Sequence, residues 1–366
     1  EQSVSGLVSD SFTFGGATYT VEATVGAKGT DVGNYETAVI GTPIVKDAAG
    51  NDVTEKFAVT ITPGTLTITK RSVSLTSATD TKEYDGTALT NDNVTVGGDG
   101  FAANEGASYN VTGSQTVVGS SENTFTYKLN DGTKTDNYEI TKAEGTLTVT
   151  NRAEKYEITV EVNSGEFKYD GTAKNVSGFK TLEFTVDGKQ YTVDGITAGV
   201  TKTDAGSYTI EATGIPTVKD TADNDVTAQF NVSVIPGTLT ISKRNVTLTS
   251  ATDSKEYDGT ALTNVNVTVE GEGFAEGEGA TYNVTGSQIY AGSSQNAFTY
   301  TLNAGTKETN YNITKKEGTL TVTDRTAKYE ITVKANSAEY KYDGIEKSVE
   351  GFETLTFEVS GRTYTV

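Results

Sequence analysis

The chain has 366 residues, a formal net charge of −20, 39 glycines, four prolines and no Cys, His, Met or Trp. Without Cys and His, disulfides, thiolate or imidazole metal sites and Ser–His or Cys–His catalysis are excluded. The acidic charge disfavours nucleic acid and anionic lipid, and no apolar run approaches the ~20 residues that cross a bilayer. We predict no enzymatic activity, no nucleic-acid partner and no membrane insertion in this segment.

The chain repeats itself. Residues Lys70–Arg152 and Lys243–Arg325 align without a gap, and 62 of their 83 positions are identical. A second kind of unit lies between them and has partial relatives at both ends. The predicted organisation, which is typical of a modular array, is type A (1–69), type B (70–152), type A (153–242), type B (243–325) and type A (326–366).

Both ends of the sequence are expected to fall inside a type A repeat. Glu1 aligns with Ala173 and Glu346, and Val366 aligns with Val193. On this alignment the first repeat lacks its N-terminal strand and the last is an N-terminal fragment. We expect a head domain and an anchoring signal outside this segment.

The type A repeat contains the sequence Asp204-Ala205-Gly206-Ser207-Tyr208, echoed at Asp31–Tyr35. It is similar to the tyrosine corner of immunoglobulin-type sandwiches, with Asp204, Gly206 and Tyr208 as structural residues and Ile210 at the position of the usual Cys. The alternative is an ordinary turn followed by a strand.

Two acidic segments of type A are the calcium candidates, because oxygen ligands suit a hard cation. Their candidate ligands are Asp47, Asn51, Asp52, Asp220, Asp223 and Asp225. Neither segment has EF-hand spacing, so ordinary hairpin turns are the favoured interpretation, and we predict no cofactor other than this weak calcium site. In type B, the acidic cluster from Glu270 to Glu278 is predicted to be a solvated loop.

Type B shows six short runs in which large apolar residues alternate with Thr, Ser or Lys, which predicts strands with one face in a core. The runs are Ser72–Ser77, Asn93–Val96, Ser108–Thr112, Thr124–Leu129, Asn137–Thr141 and Gly145–Thr150. Short junctions such as Gly145–Tyr156 leave little free linker. The prediction is an all-β fold of tandem immunoglobulin-like β-sandwich domains, of two alternating types, arranged as an elongated rod.

The chain contains four Tyr-Asp-Gly sequences, which predict turns. In each turn the glycine is expected to adopt a positive φ, the aspartate to accept a hydrogen bond from the following backbone, and the tyrosine to anchor the turn. Their predicted structural residues are Tyr84, Asp85, Gly86, Tyr169, Asp170, Gly171, Tyr257, Asp258 and Gly259, and the fourth turn starts at Tyr342. A binding role for their Lys or Asp side chains is the alternative.

Three motifs recur in the chain. They are Lys-Glu-Tyr-Asp-Gly-Thr-Ala-Leu-Thr at Lys82–Thr90 and Lys255–Thr263, Asn-Tyr at Asn137 and Asn310, and Gly-Thr-Leu-Thr at Gly145. With these motifs the chain resembles the YDG and MBG repeat domains of large, adhesin-like bacterial surface proteins. The resemblance implies immunoglobulin-like repeats outside the cell, cell-wall anchored or secreted, that form a stalk for a head domain. It implies no catalytic residues. The repeat organisation itself predicts contacts between neighbouring repeats.

Two alternatives stay open. In the first alternative, the repeats bind host mucin, glycan or matrix directly, and the presence of several copies increases the avidity. In the second, incomplete terminal units of different copies of the chain exchange strands and build a filament.

Overall fold

The computed structural model describes residues 1–7 and 10–366, and the fold of this part of the chain is all-β, as predicted. Helical structure in these residues is limited to four single-turn 3₁₀ helices, η1 (Thr54–Lys56), η2 (Thr135–Asn137), η3 (Thr227–Gln229) and η4 (Glu308–Asn310). None of the described helices has the length and hydrophobicity required of a membrane span.

The strands are short and follow one another closely. The first fourteen are β1 (Gln2–Ser5), β2 (Ser11–Phe14), β3 (Ala17–Gly29), β4 (Gly33–Glu36), β5 (Ala38–Asp47), β6 (Thr65–Ile68), β7 (Arg71–Ser77), β8 (Asp80–Glu83), β9 (Val94–Gly98), β10 (Ala107–Val111), β11 (Gly119–Asn123), β12 (Phe125–Leu129), β13 (Tyr138–Ala143) and β14 (Gly145–Thr150). The next nine are β15 (Tyr156–Glu161), β16 (Gly165–Lys168), β17 (Lys174–Ser177), β18 (Glu183–Val186), β19 (Lys189–Lys202), β20 (Gly206–Ile210), β21 (Ala212–Asp220), β22 (Phe230–Ile235) and β23 (Gly237–Ser242). The remaining ten are β24 (Arg244–Ser250), β25 (Asp253–Glu256), β26 (Val267–Gly271), β27 (Ala280–Val284), β28 (Gly292–Gln295), β29 (Phe298–Leu302), β30 (Tyr311–Lys316), β31 (Thr319–Thr323), β32 (Thr356–Val359) and β33 (Arg362–Thr365).

The chain divides into two compact units, each built from several segments. The first comprises Glu1–Glu157, Thr185–Thr192 and Thr217–Asn231, and the second comprises Ile158–Phe184, Val193–Pro216 and Val232–Val366. Residues of the sequence-predicted type A repeat 153–242 contribute to both units. The boundaries of the individual repeats stay a prediction.

In the first unit, residues 70–152 form two three-stranded sheets, β13-β7-β9 and β11-β14-β8, together with the pair β10-β12. Val73, Leu75, Phe125 and Tyr138 are buried together as a core. Their alternation with exposed neighbours explains the arrangement, because successive side chains of a strand point to opposite faces. In β14, for example, Leu147 and Val149 are buried while Thr146 and Thr150 are exposed.

The second unit contains the same arrangement in residues 243–325. Its sheets are β26-β24-β30 and β25-β31-β28, with the pair β27-β29. Leu248, Phe298 and Tyr311 are buried at the positions of Leu75, Phe125 and Tyr138. The two copies therefore bury equivalent side chains in equivalent sheets, as expected from their sequence identity.

Two strands of type B are not among the six predicted runs. They are β8 and β11, and their sequences, Asp80–Glu83 and Gly119–Asn123, carry few large apolar residues. Both flank β14, with β8 parallel and β11 antiparallel to it. The pairing partner, and not hydrophobic alternation, therefore makes these segments strands.

The chain changes sheet between β7 and β8. Strand β7 runs parallel to β13 in one sheet, whereas β8 runs parallel to β14 in the other. Buried Ser77 stabilises the corner, since its hydroxyl donates to the carbonyl oxygen of Asn123 at 2.6 Å and accepts from the amide of Gly145 at 2.9 Å. Switching sheets at a bend is a common way for one strand to join two layers.

The type A segments are built around long or central strands. In the first unit, β3 pairs with β1, β2 and β5, and β4 pairs with β6. In the second unit, β23 lies between β20, which is antiparallel to it, and β16, which is parallel to it. Residues 356–365 form the hairpin β32-β33.

Candidate functional site

The first two type A segments contain the hydrogen bond that a tyrosine corner requires. The hydroxyl of Tyr208 donates to the backbone carbonyl of Asp204 at 2.9 Å, and Tyr35 donates to Asp31 at 2.8 Å. A Cβ atom added to Gly206 would lie 2.9 Å from the Tyr208 hydroxyl oxygen, which explains the glycine two residues before the tyrosine. Ile210, at the position of the usual Cys, is buried.

We predict that Tyr208→Phe destabilises the second unit by about 1 kcal/mol, because the Asp204 carbonyl loses a hydrogen-bond donor while the ring packing is kept. Urea unfolding followed by tyrosine fluorescence measures this loss. Tyr290→Phe is the control, since this ring is 73% exposed. Equal stability of Tyr208→Phe and the parent protein would contradict the tyrosine-corner interpretation.

The side chain of the corner aspartate binds a different segment, and we name this arrangement the clasp. In the first unit, Asp31 accepts hydrogen bonds from Asn137 Nδ2 at 2.9 Å and from Lys134 Nζ at 2.6 Å. The Asn137 Oδ1 atom in turn accepts from the backbone amide of Val32 at 2.8 Å. The clasp therefore joins the first type A segment to η2 of the following type B segment.

The same clasp occurs in the second unit with equivalent residues. Asp204 accepts from Asn310 Nδ2 at 3.1 Å and from Lys307 Nζ at 2.7 Å, and Asn310 Oδ1 accepts from the amide of Ala205 at 2.7 Å. Asn310 is completely buried. A buried amide with both ends satisfied fixes the relative position of its partners, because leaving either end unpaired is costly.

The clasp predicts a loss of stability in acid. Hydrogen bonds from Lys307 and Asn310 hold the pKa of Asp204 below its usual value, as those from Asn137 and Lys134 do for Asp31. A lowered folded-state pKa contributes stability that is fully present above the unfolded pKa of 3.8 and is lost as the pH falls below it. We expect Asp204→Asn to show a smaller stability difference between pH 6 and pH 3 in urea unfolding than the parent; an unchanged difference would contradict this. Asp131→Asn, on an exposed loop, is the control.

The aspartates of the Tyr-Asp-Gly turns bond to their own turns. Asp85 accepts from the Thr87 amide at 2.8 Å and from Lys82 Nζ at 2.8 Å. Burial alone would raise the pKa of Asp85, but hydrogen bonds from Lys82 and Thr87 outweigh it and lower the pKa to about 2. Asp170 and Asp258 make the same bonds with Thr172 and Thr260, so these side chains complete the turn.

The tyrosine and glycine of the type B turns contact the following segment. In the first unit, the Tyr84 hydroxyl lies 3.4 Å from that of Tyr191, and Arg152 donates to the Tyr84 carbonyl at 3.1 Å. In the second unit, Tyr257 and Tyr364 are paired at 3.3 Å. The Tyr-Asp-Gly turn of type B is therefore a junction element as well as a turn.

We predict that Gly86→Ala destabilises the first unit more than Gly100→Ala does. Both glycines have positive φ, +73° and +68°, so alanine is strained at each. A Cβ atom at Gly86 would also lie 2.6 Å from the Tyr191 hydroxyl oxygen, whereas one at Gly100 meets no atom within 4 Å. Thermal unfolding of the two variants measures the difference, and equal melting temperatures would contradict the proposed close approach.

The Tyr-Asp-Gly turn at Tyr169 packs against other residues of the second unit. Tyr169 is 3% exposed, its hydroxyl donates to Glu278, and its ring packs edge-on against Tyr311 at 5.5 Å. Lys168 pairs with Glu272. Burial, followed by the hydrogen bond to Glu278, raises the pKa of Tyr169 to about 12.

The prediction of a solvated loop for the acidic cluster Glu270–Glu278 is therefore wrong for two of its glutamates. Glu272 and Glu278 are partly buried and bind Lys168 and Tyr169, whereas Glu270 and Glu276 are exposed. Composition alone did not distinguish them, because the partners lie about 100 residues away in sequence.

The calcium candidates lie in two equivalent hairpin turns of the first unit. Asp47 accepts from the amides of Ala49 and Asn51 and from Asn51 Nδ2, at 2.9–3.1 Å, and Asp220 repeats these contacts with Ala222 and Asn224.

The other candidates of these turns point elsewhere. Asp52 and Asp225 accept from the amides of Thr54 and Thr227, and Asp223 pairs with Lys219. No group of three or more carboxylates with the proximity of a metal site occurs in residues 1–7 and 10–366. Each of the five candidate aspartates accepts a hydrogen bond or pairs with a lysine in its own turn.

The site residues predicted from the sequence did not include four residues of the clasp, which are Asn137, Asn310, Lys134 and Lys307. The signal that identifies them is their retention, at the same Lys-x-x-Asn-Tyr spacing, in both copies of type B although the two intervening residues differ.

A scan for matching protein families and a search of curated proteins both return no match to this chain. The clasp is present in both units, and it joins a type A segment to a type B segment in each.

Proposed function

We propose that this chain is a structural segment of an extracellular bacterial surface protein, a semi-rigid stalk of alternating immunoglobulin-like β-sandwich repeats that holds a binding or enzymatic domain away from the cell. The all-β fold and the repeated sequence support this proposal. Its main function would be length and stiffness.

The main support for the stalk proposal is the clasp. Asp31 with Asn137 and Lys134, and Asp204 with Asn310 and Lys307, form the same contacts in two separate units. A spacer requires each junction to resist bending, and copying one junction lets length grow without a new interface. An active site gains nothing from such copying.

Small-angle X-ray scattering of the whole chain tests the stalk. A single compact domain of this length has a radius of gyration of about 21 Å. A semi-rigid array predicts a clearly larger radius and a pair-distance distribution with a long, linear tail. A radius near 21 Å would overturn the proposal.

A second candidate is direct binding of host glycan or mucin, and one repeated feature favours it. Tyr109 and Tyr127 face each other across β10 and β12, and Tyr282 and Tyr300 do so across β27 and β29. A concavity of about 540 Å³ lies beside the second pair. Tyrosine rings are suitable platforms for stacking against sugars, and two copies would add avidity.

Immobilised mucin distinguishes the two candidates. Glycan binding predicts saturable binding of the whole chain that is lost in the double variant Tyr127→Ala/Tyr300→Ala. Binding is expected to be kept in the control Thr95→Ala/Thr268→Ala, whose exposed residues lie on other strands and do not line the concavity. Absence of binding by the parent chain leaves the stalk as the function.

A further inference from the structure

The type A segment 153–242 and the type B segment 243–325 are flanked by further repeats on both sides and are joined without a linker. Strand β23, the last of type A, ends at Ser242, and β24, the first of type B, begins at Arg244. Each is the central strand of a three-stranded sheet, β16-β23-β20 in type A and β26-β24-β30 in type B. The middle of one sheet therefore continues almost directly into the middle of the next, which leaves little free chain between the two segments.

One hydrophobic core extends through both segments of the second unit. Its buried side chains include Ile210, Leu239 and Ile241 of type A and Leu248, Phe298 and Tyr311 of type B. Each of these six side chains is at most 2% exposed. Because interiors are closely packed, unfolding of either segment would expose apolar side chains of the other and remove part of the free energy gained by their burial.

The polar contacts between the two segments are buried as well. Tyr169 of type A and Tyr311 of type B are 3% and 2% exposed, and both hydroxyls donate to the carboxylate of Glu278. Asn310, which is completely buried, accepts from the Ala205 amide at 2.7 Å. Removing one partner from a buried hydrogen bond is costly, so each segment stabilises polar groups of the other.

We propose that type B presents an interaction surface for the preceding type A repeat and that the two fold and unfold as one cooperative unit, which we name the A–B pair. The pair comprises residues 158–184, 193–216 and 232–325, all of which belong to the second compact unit. The surface includes Glu278, Asn310 and Tyr311, and its partners are the turn at Tyr169 and the corner at Asp204. Neither segment is expected to stay folded once the other has unfolded.

The inference goes beyond the proposed stalk and does not depend on it, since a glycan-binding array could be built from the same pair. Its consequence is that the sequence repeat and the folding unit differ. The array would gain or lose stability in pairs of repeats, and a substitution in one segment would be felt equally in the other.

Hydrogen exchange of the whole chain, under conditions where closing is faster than exchange, tests the pair from the type A side. Tyr208→Phe removes a hydroxyl whose hydrogen bond, to the Asp204 carbonyl at 2.9 Å, lies within type A. The most protected amides of β31, in type B, are expected to exchange about fivefold faster, the same factor as those of β23 in type A. Thr209→Val, which removes an exposed hydroxyl from the same strand, is the control and is expected to leave both strands unchanged.

The same measurement from the type B side uses Asn296→Ala. The Nδ2 atom of Asn296 donates to the carbonyls of Ala251 and Asn264, both in type B. Its loss is expected to accelerate exchange in β23 by the same factor as in β31, about 30- to 150-fold. Asn283→Ala, at an exposed position of β27, is the control and is expected to change neither strand.

Acceleration confined to the segment that carries the substitution, in either variant, would overturn the proposal, because each repeat would then open alone. This outcome is distinct from failure of the stalk. A radius of gyration typical of one compact domain would count against the stalk and leave the exchange result as it is.

Discussion

Replacing Asn296 by alanine is expected to lower the stability of the second type B segment by about 2–3 kcal/mol. Asn296 is completely buried, and its Nδ2 atom donates to the carbonyls of Ala251 and Asn264 at 3.0 and 2.8 Å. Alanine removes both donors at the point where the chain passes from one sheet to the other. The two carbonyls then lose this hydrogen-bond partner.

Hydrogen exchange measures this effect locally. A loss of 2–3 kcal/mol corresponds to about 30- to 150-fold faster exchange of the most protected amides of β24 and β31. Asn283→Ala is the matched control, since Asn283 lies on the exposed face of β27 and its loss is expected to change stability by less than about 0.5 kcal/mol. Equal protection in the two variants would show that the corner is not held by Asn296.

Replacing Asn310 by alanine is expected to cost about 2 kcal/mol and to loosen the clasp of the second unit. The substitution leaves the Ala205 amide without its acceptor and removes one of the donors to Asp204. Lys307 stays close to Asp204, but an exposed ion pair contributes little. The junction is therefore expected to become less rigid, while the continuous hydrophobic core that the two segments share, which includes Leu239 and Phe298, stays folded.

Exchange of the Ala205 amide reports the broken contact directly, and Asn312→Ala is the control. Asn312 lies two residues away and donates to Asn245 Oδ1 at 3.0 Å from an exposed position. The control is expected to leave the Ala205 amide protected. Loss of protection in both variants would mean that the clasp is not specific to Asn310.

The sequence was sufficient to predict the all-β fold because residues such as Leu147 and Val149 alternate with threonine, and this period is visible in a short window. It was not sufficient for β8 and β11. Their polar segments become strands only because β14 lies between them, and pairing between residues such as Leu147 and Asp80 cannot be read from either segment alone.

In the candidate site too, contacts between residues close in sequence could be predicted, whereas contacts between distant residues could not. The corner at Tyr208 is local, with its acceptor four residues upstream, and a motif identifies it. The clasp joins Asp204 to Asn310, 106 residues apart, and Glu278 meets Tyr169 across 109 residues. Such partners are fixed by the packing of one segment on the next, which composition and periodicity do not describe.

Distance measurement between two spin labels in the second unit tests the central claim that neighbouring repeats are held semi-rigidly. The chain has no Cys, so Glu166→Cys and Thr299→Cys, both at exposed strand positions, provide unique attachment sites. A semi-rigid junction predicts a single narrow distance distribution in this labelled protein and a broad one after Asn310→Ala. A distribution equally broad before and after the substitution would contradict it.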